Sequence, residues 1–168
     1  DYFVPILLHL SRLVTTDGRI GAVFPTAWLG TDWGKSFRRV LRNFYTIETV
    51  LTSGAGRWFQ NADVVTNIVI LKRRKSIRKT DKNESTTFGV TQYPLEEWDK
   101  EKEDQIAALL KIPHATPASL IRINRVVSSE LADYDDLGLC WSAHFTNLKW
   151  FSHVRPLLKP ITEEFIVQ

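Results

Sequence analysis

The run Val64–Leu71, VVTNIVIL, is apolar at almost every position rather than at alternate ones. A half-exposed strand alternates apolar and polar residues; a near-continuous run needs cover on both faces. Such strands belong to sheets with helices packed on each side. This one stops abruptly at Lys72-Arg73-Arg74-Lys75. Residues 46–52, TIETVLT, read as a second strand with only a loop between it and the first. No helical crossover fits there, so the two are expected to pair as an antiparallel hairpin at an edge.

The upstream chain alternates helix and strand. Phe3, Ile6, Leu7, Leu10, Leu13 and Val14 recur at helical spacing over 2–14, with Pro5 in the first turn, where its missing N–H costs little. Asp17-Gly18 supplies a stop, with glycine able to take positive φ. RIGAVF at 19–24 reads as a short strand ended by Pro25. Thr31 or Asp32 can cap a second helix, in which Phe37, Val40, Leu41 and Phe44 mark one face. Residues 1–75 therefore read as helix, strand, helix, strand, loop, strand. The fold class is α/β, and with no strand before the first helix the sheet is expected to be incomplete. An unpaired strand at Arg19 would invite self-association or be covered by a later segment of the same chain.

Residues 76–85 continue a charged stretch, and six of the eight residues 72–79 are Lys or Arg. Both a solvated linker and a phosphate-contacting patch fit that composition. Beyond it, TTFGVTQY reads as a strand, 99–111 as an amphipathic helix, 119–131 as strand-like and 144–158 as helical. Residues 86–168 are thus expected to form a small α+β region. The chain lacks Met and closes on EEFIVQ, which resembles a strand just begun; both ends are expected to be cut from a longer protein.

Composition narrows the function classes. One cysteine, Cys140, excludes a disulfide scaffold, and no Cys/His spacing suggests zinc. No apolar run approaches a bilayer span, and a cytoplasmic setting with no membrane contact is expected. A net charge of +3 permits nucleic-acid binding without demanding it. There is no G-x-G-x-x-G, P-loop or H-E-x-x-H. His114, His144 and His153 are scattered, which suits surface or packing roles. Asp133, Asp135 and Asp136 could hold a cation or form a solvated loop.

What remains is the loop before the apolar run, AGRWFQNAD, where Trp58 and Phe59 sit beside Arg57. The order of DGRIGAVFPTAWL, FRRVLRNF and WFQNADVVTNIVIL resembles the later half of an N6-adenine DNA methyltransferase domain of the gamma class, as found in type II and fused restriction–modification systems. The resemblance covers roughly residues 1–75. It implies the later portion of a Rossmann-like methyltransferase sheet, followed by a connector over 86–168 toward a target-recognition domain. It implies that S-adenosylmethionine is the cofactor of the full-length protein, with Ile6 covering its adenine ring, and that double-stranded DNA is the partner.

It also implies that Phe59 stacks on a flipped adenine. Trp58 stands where the family more often has an aliphatic residue, so either ring could be the stacking one. Enzymes that modify a base must take it out of the helix and hold it between flat groups. The alternative is that both rings plug the end of the sheet. Pro25 and Trp28 suit loop-shaping and packing, and secondarily a site wall. Arg57, Lys72, Arg73, Arg74 and Lys75 are candidate DNA contacts; Arg122, Arg125, Lys149, Trp150 and Arg155 are weaker ones. The family's cofactor loop and its Asn/Asp-Pro-Pro-aromatic motif have no counterpart here. No catalytic residue and no metal ligand is therefore assigned, and the isolated chain is expected to be inactive. Rival readings are a non-catalytic DNA- or protein-binding module with a degenerate methyltransferase-like fold, and a small-molecule methyltransferase.

Overall fold

The computed structural model describes residues 2–59, 64–75, 84–111, 120–146 and 154–157. Helix α1 (Phe3–Leu13) leads to β1 (Arg19–Pro25), a 3-10 turn (Thr26–Leu29) and α2 (Asp32–Phe44). Strands β2 (Tyr45–Ser53), β3 (Thr66–Arg73) and β4 (Ser85–Thr91) follow, then α3 (Lys100–Lys111), β5 (Ile121–Val127), α4 (Ser128–Asp136) and a 3-10 turn (Trp141–Phe145). The five strands form one sheet in the order β1-β3-β2-β4-β5.

Strand β3 pairs antiparallel with both β1 and β2, so those two run in the same direction with β3 inserted between them. This explains the near-continuous apolar run: β3 has a partner on each edge and side chains packed on each face. The β2–β3 hairpin forms as the sequence indicates. It lies inside the sheet, because β4 joins β2 in parallel and β5 closes the other side antiparallel to β4. Strands on either side of residues 76–85 thus share one sheet.

Adjacent residues of β2 show the two faces. Val50 belongs to a large cluster with Trp28, Phe37, Leu41, Val69 and Trp141. Leu51 belongs to a second with Trp58, Ile106 of α3 and Ile121 of β5. Helices α1 and α2 contribute to the first cluster, with Leu131 and Tyr134 of α4. Thr31 caps α2 by accepting from the Gly34 N–H, as its side chain allows. Beneath α2, Arg38 donates to Asp135 of α4 through Nε (2.9 Å) and Nη2 (2.6 Å) and to the Trp28 carbonyl through Nη1 (2.6 Å).

Several local expectations are corrected. The positive φ after α1 belongs to Asp17 (65°) and not to Gly18. Gly18 is required by space, since a Cβ there would lie 2.6 Å from Val14 Cγ1 and 2.8 Å from the Thr15 carbonyl. Ile6 and Leu13 do not join the core face of α1; they are exposed while Leu7 is buried. The strand over 119–131 ends at Val127, and SSELADYDD forms α4. Over 144–158 a 3-10 turn ends at Phe145, and residues 147–153 lie outside the described residues, as do FIVQ, Lys149, Trp150, His114 and His153. Asp135 neither holds a cation nor lies in a solvated loop; it is the buried partner of Arg38. No group of metal-ligating residues occurs among the described residues, and no helix among them is long and apolar enough to cross a membrane.

The expected open edge is the outer side of β1. In the β1–β3 ladder Gly18 accepts from the Arg73 N–H (2.8 Å), so by parity Arg19, Gly21 and Val23 turn their own N–H and C=O groups outward. Among the described residues no strand pairs with that side.

Candidate functional site: the aromatic loop at the sheet rim

Strands β1, β2 and β4 all end at the same rim, and the loop after β2 lies there. Open α/β sheets bind ligands beyond the carboxyl ends of their parallel strands. The loop is held at defined points. Gly54 donates its N–H to the Thr91 carbonyl at the end of β4 (2.9 Å). A Cβ on Gly54 would lie 2.8 Å from that oxygen, so the approach needs glycine. Ser53 Oγ accepts from the Ala55 N–H (3.2 Å). Gly56 has φ of 92°, a left-handed conformation that side chains disfavour. At the return, both the N–H (2.8 Å) and the hydroxyl (2.9 Å) of Thr26, just past β1, donate to the Val65 carbonyl.

The two rings have different fates. Trp58 is 7% exposed and packs in the second core cluster. Its Nε1–H has no hydrogen-bond acceptor among the described residues. Phe59, the next residue, is 47% exposed. One ring anchors the loop and the adjacent one is presented to solvent. Trp28 is fully buried; its Nε1 donates to Asn67 Oδ1 (3.2 Å), and Asn67 in turn donates to the Leu51 carbonyl (3.4 Å). Trp28 is thus a packing residue that ties the post-β1 turn to β3. The sequence reading placed Asn67 only within the motif WFQNADVVTNIVIL, with no role of its own; the signal available was a polar residue inside an apolar strand.

Ile6 is 55% exposed on α1. The ring of Phe3, one turn away, packs edge-on against Phe24 at the end of β1 (5.5 Å). The start of α1 therefore lies at the same rim as the aromatic loop. Residues Lys72–Lys75 do not. They lie at the far end of β3, Lys72 and Arg73 as its last residues, about 24 Å from its start at about 3.4 Å per residue. There Lys72 and Lys75 both contact Asp17 (3.2 and 3.3 Å), which holds that carboxyl below its usual range. Arg74 pairs with Glu84, and Arg73 donates to the Val14 carbonyl. The structure brings Arg57, Trp58, Phe59 and the start of α1 to one rim and places the basic run at the other. Of the weaker candidates, Arg125 donates to Thr87 Oγ1 (2.9 Å) and to the Leu110 carbonyl (2.8 Å), while Arg122 is exposed.

No family model and no curated protein matches the chain. Solved structures match its fold. The type IIG restriction endonuclease BpuSI is 17% identical over 89% of this chain and 17% of its own, with a TM-score of 0.62. The methyltransferase subunit of a type I restriction–modification system from Streptococcus thermophilus is 18% identical over 84% of this chain and 30% of its own, with a TM-score of 0.57. A modification subunit of a putative type I restriction enzyme from Vibrio vulnificus is 14% identical over 76% and 28%, with a TM-score of 0.54. The chain spans less than a third of each of these proteins. What it shares with them is the fold: a mixed α/β architecture with a five-stranded sheet, like that of restriction–modification subunits.

Proposed function

We propose that this chain is the later part of a gamma-class restriction–modification DNA methyltransferase that acts at N6 of adenine, and that it supplies one wall of the pocket for the flipped base. The observation that carries the reading is the split between two adjacent rings. Trp58 fixes the loop in the core and Phe59 is presented to solvent at the rim where β1, β2 and β4 end. A buried neighbour limits the motion of the exposed ring, and a preorganised flat surface is what a flipped base stacks on. Stacking of that kind is worth about 1–3 kcal/mol.

S-adenosylmethionine would supply the methyl group. Ile6 suits an apolar cover over a purine ring, being exposed at the same end of the sheet, and offers the cofactor no polar contact. Groups that orient the target amino nitrogen and accept its protons would come from outside residues 1–168. Arg57, exposed beside the rings, is the candidate phosphate contact of the loop. Lys72–Lys75 would meet only phosphates remote from the base pocket.

The test is a titration of the full-length protein with duplex DNA carrying 2-aminopurine at the target adenine. Wild type is expected to give a large emission rise on flipping, and Phe59→Ala to change that rise or weaken binding. Unchanged emission and affinity in Phe59→Ala would remove the base-stacking role. Sedimentation of residues 1–168 tests the open edge: association lost on Val23→Lys supports pairing through β1, and a monomer at high concentration argues against it.

A further inference from the structure

Helix α2 runs back from the aromatic-loop rim to the far rim, and its exposed side is basic. Lys35, Arg39 and Asn43 stand at four-residue spacing and so share one stripe. With Arg42 they line a cleft of about 170 Å³. Asn43 also lines a second cleft, of about 350 Å³, with Ser11 and Arg12 at the end of α1, Arg73 at the end of β3, and Arg74 and Lys75 just after it. Asn43 is common to the walls of both clefts, which places them side by side at the end of α2.

The charges along this track of two clefts are poorly compensated. Arg74 is satisfied by Glu84, and Lys75 shares Asp17 with Lys72. Arg42 spends its guanidinium on Asp135 and the Ser128 carbonyl. Among the described residues, Arg12, Lys35, Arg39 and Arg73 have no carboxylate partner within 4.0 Å. Arg73 is oriented by its bond to the Val14 carbonyl, so its fork is fixed before any ligand arrives. Asp135 and Asp136 also line the first cleft, and Asp135 is taken up by Arg38 and Arg42. A single small anion would need one cleft. Uncompensated cations divided between two clefts, Lys35 and Arg39 in one and Arg12 and Arg73 in the other, suit a ligand with charge repeated along its length.

We infer that this track, comprising Arg12, Arg39, Asn43 and Arg73, binds the phosphodiester backbone of a nucleic acid without reading its sequence. The inference stands apart from the base-pocket reading, because neither Phe59 nor the rim loop takes part.

Anisotropy titration of the full-length protein with a fluorescent duplex lacking any target site, at several salt concentrations, tests it. Neutralising Arg12 and Arg39, both exposed, in an Arg12→Gln/Arg39→Gln variant is expected to lower the slope of log affinity against log salt by about 2. Carried to a 1 M reference, that is an affinity loss of about 30-fold at 150 mM salt. The melting temperature should not change, and Phe59→Ala should leave the slope alone, so failure of this inference and failure of the base pocket are separable. An unchanged slope with wild-type affinity overturns the track. So does equal competition by inorganic phosphate and by a long duplex at matched phosphate concentration, which would indicate a single anion site. Stronger competition by the longer duplex supports the track.

Discussion

Removing Arg38 should destabilise the fold more than removing any surface charge. Its side chain is 3% exposed and that of Asp135 is 12% exposed. Three donors are placed: two on Asp135 Oδ1 and one on the Trp28 carbonyl, and the guanidinium lies 5.0 Å from the centre of the Trp141 ring. In Arg38→Met the hydrocarbon stem is kept, but a buried carboxylate and a buried carbonyl each lose their donor. Breaking a buried pair from one side typically costs about 3–5 kcal/mol, because the remaining charge stays out of water. Arg42 Nη1, 3.6 Å from Asp135 Oδ2, retains part of the compensation and sets the expectation near the lower end, about 3 kcal/mol. A double variant, Arg38→Met/Asp135→Leu, removes the stranded charge and should recover part of that loss. Urea unfolding read by tryptophan fluorescence measures each step. The exposed pair Arg19–Glu48 is the control, and Arg19→Ala should leave the midpoint within error. A cost for Arg38→Met no larger than for Arg19→Ala, or a double variant worse than the single, would refute the argument from burial.

Trp58→Ala should cost about 3–5 kcal/mol by emptying the second core cluster, whereas Phe59→Ala should leave the unfolding midpoint nearly unchanged; urea titration of both variants separates anchor from presented ring. His144, buried between Phe88 and Tyr134, has its pKa pushed down to about 4 by burial. A depressed imidazole binds its proton more weakly folded than unfolded, so stability is complete above about pH 6.5 and is lost as pH falls toward 4. Between pH 7 and 5 the loss should be about 2 kcal/mol and should vanish in His144→Phe, measured by urea midpoints at each pH. Gly54→Ala should detach the loop from β4, seen as faster exchange of the backbone amide at position 54 than in wild type, since the added methyl meets the Thr91 carbonyl at 2.8 Å.

Local signals carried the first half of the chain well. Periodicity marked α1 and α2, the cap at Thr31 was readable, and two apolar runs separated by a loop specified the β2–β3 hairpin. The parallel pairing of β2 with β4 was not readable, because the partners are separated by 38 residues and no residue type records it. Helix α4 was hidden by the apolar residues of β5 running straight into SSELADYDD without a glycine or proline between them. At the site, the aromatic pair was evident, but which ring the core would take was not. That depends on α3 and β5, which reach Trp58 from more than forty residues downstream. The basic run looked like one surface; in the molecule its members divide between internal partners and an open cleft.

The insertion of β3 between β1 and β2 also sets an order of events in folding. Strands β1 and β2 run in the same direction but never touch as neighbours, so residues 19–53 cannot close any part of the sheet on their own. Among the described residues, the only pairing between consecutive strands joined by a loop alone is β2 with β3, and each other pairing closes a longer span of chain. The hairpin is therefore the template, and β1 with its two helices docks onto its free edge afterwards. Kinetically, Val69→Ala in the hairpin should slow refolding, while Ala22→Gly in β1 should chiefly speed unfolding; the reverse pattern would place β1 in the nucleus.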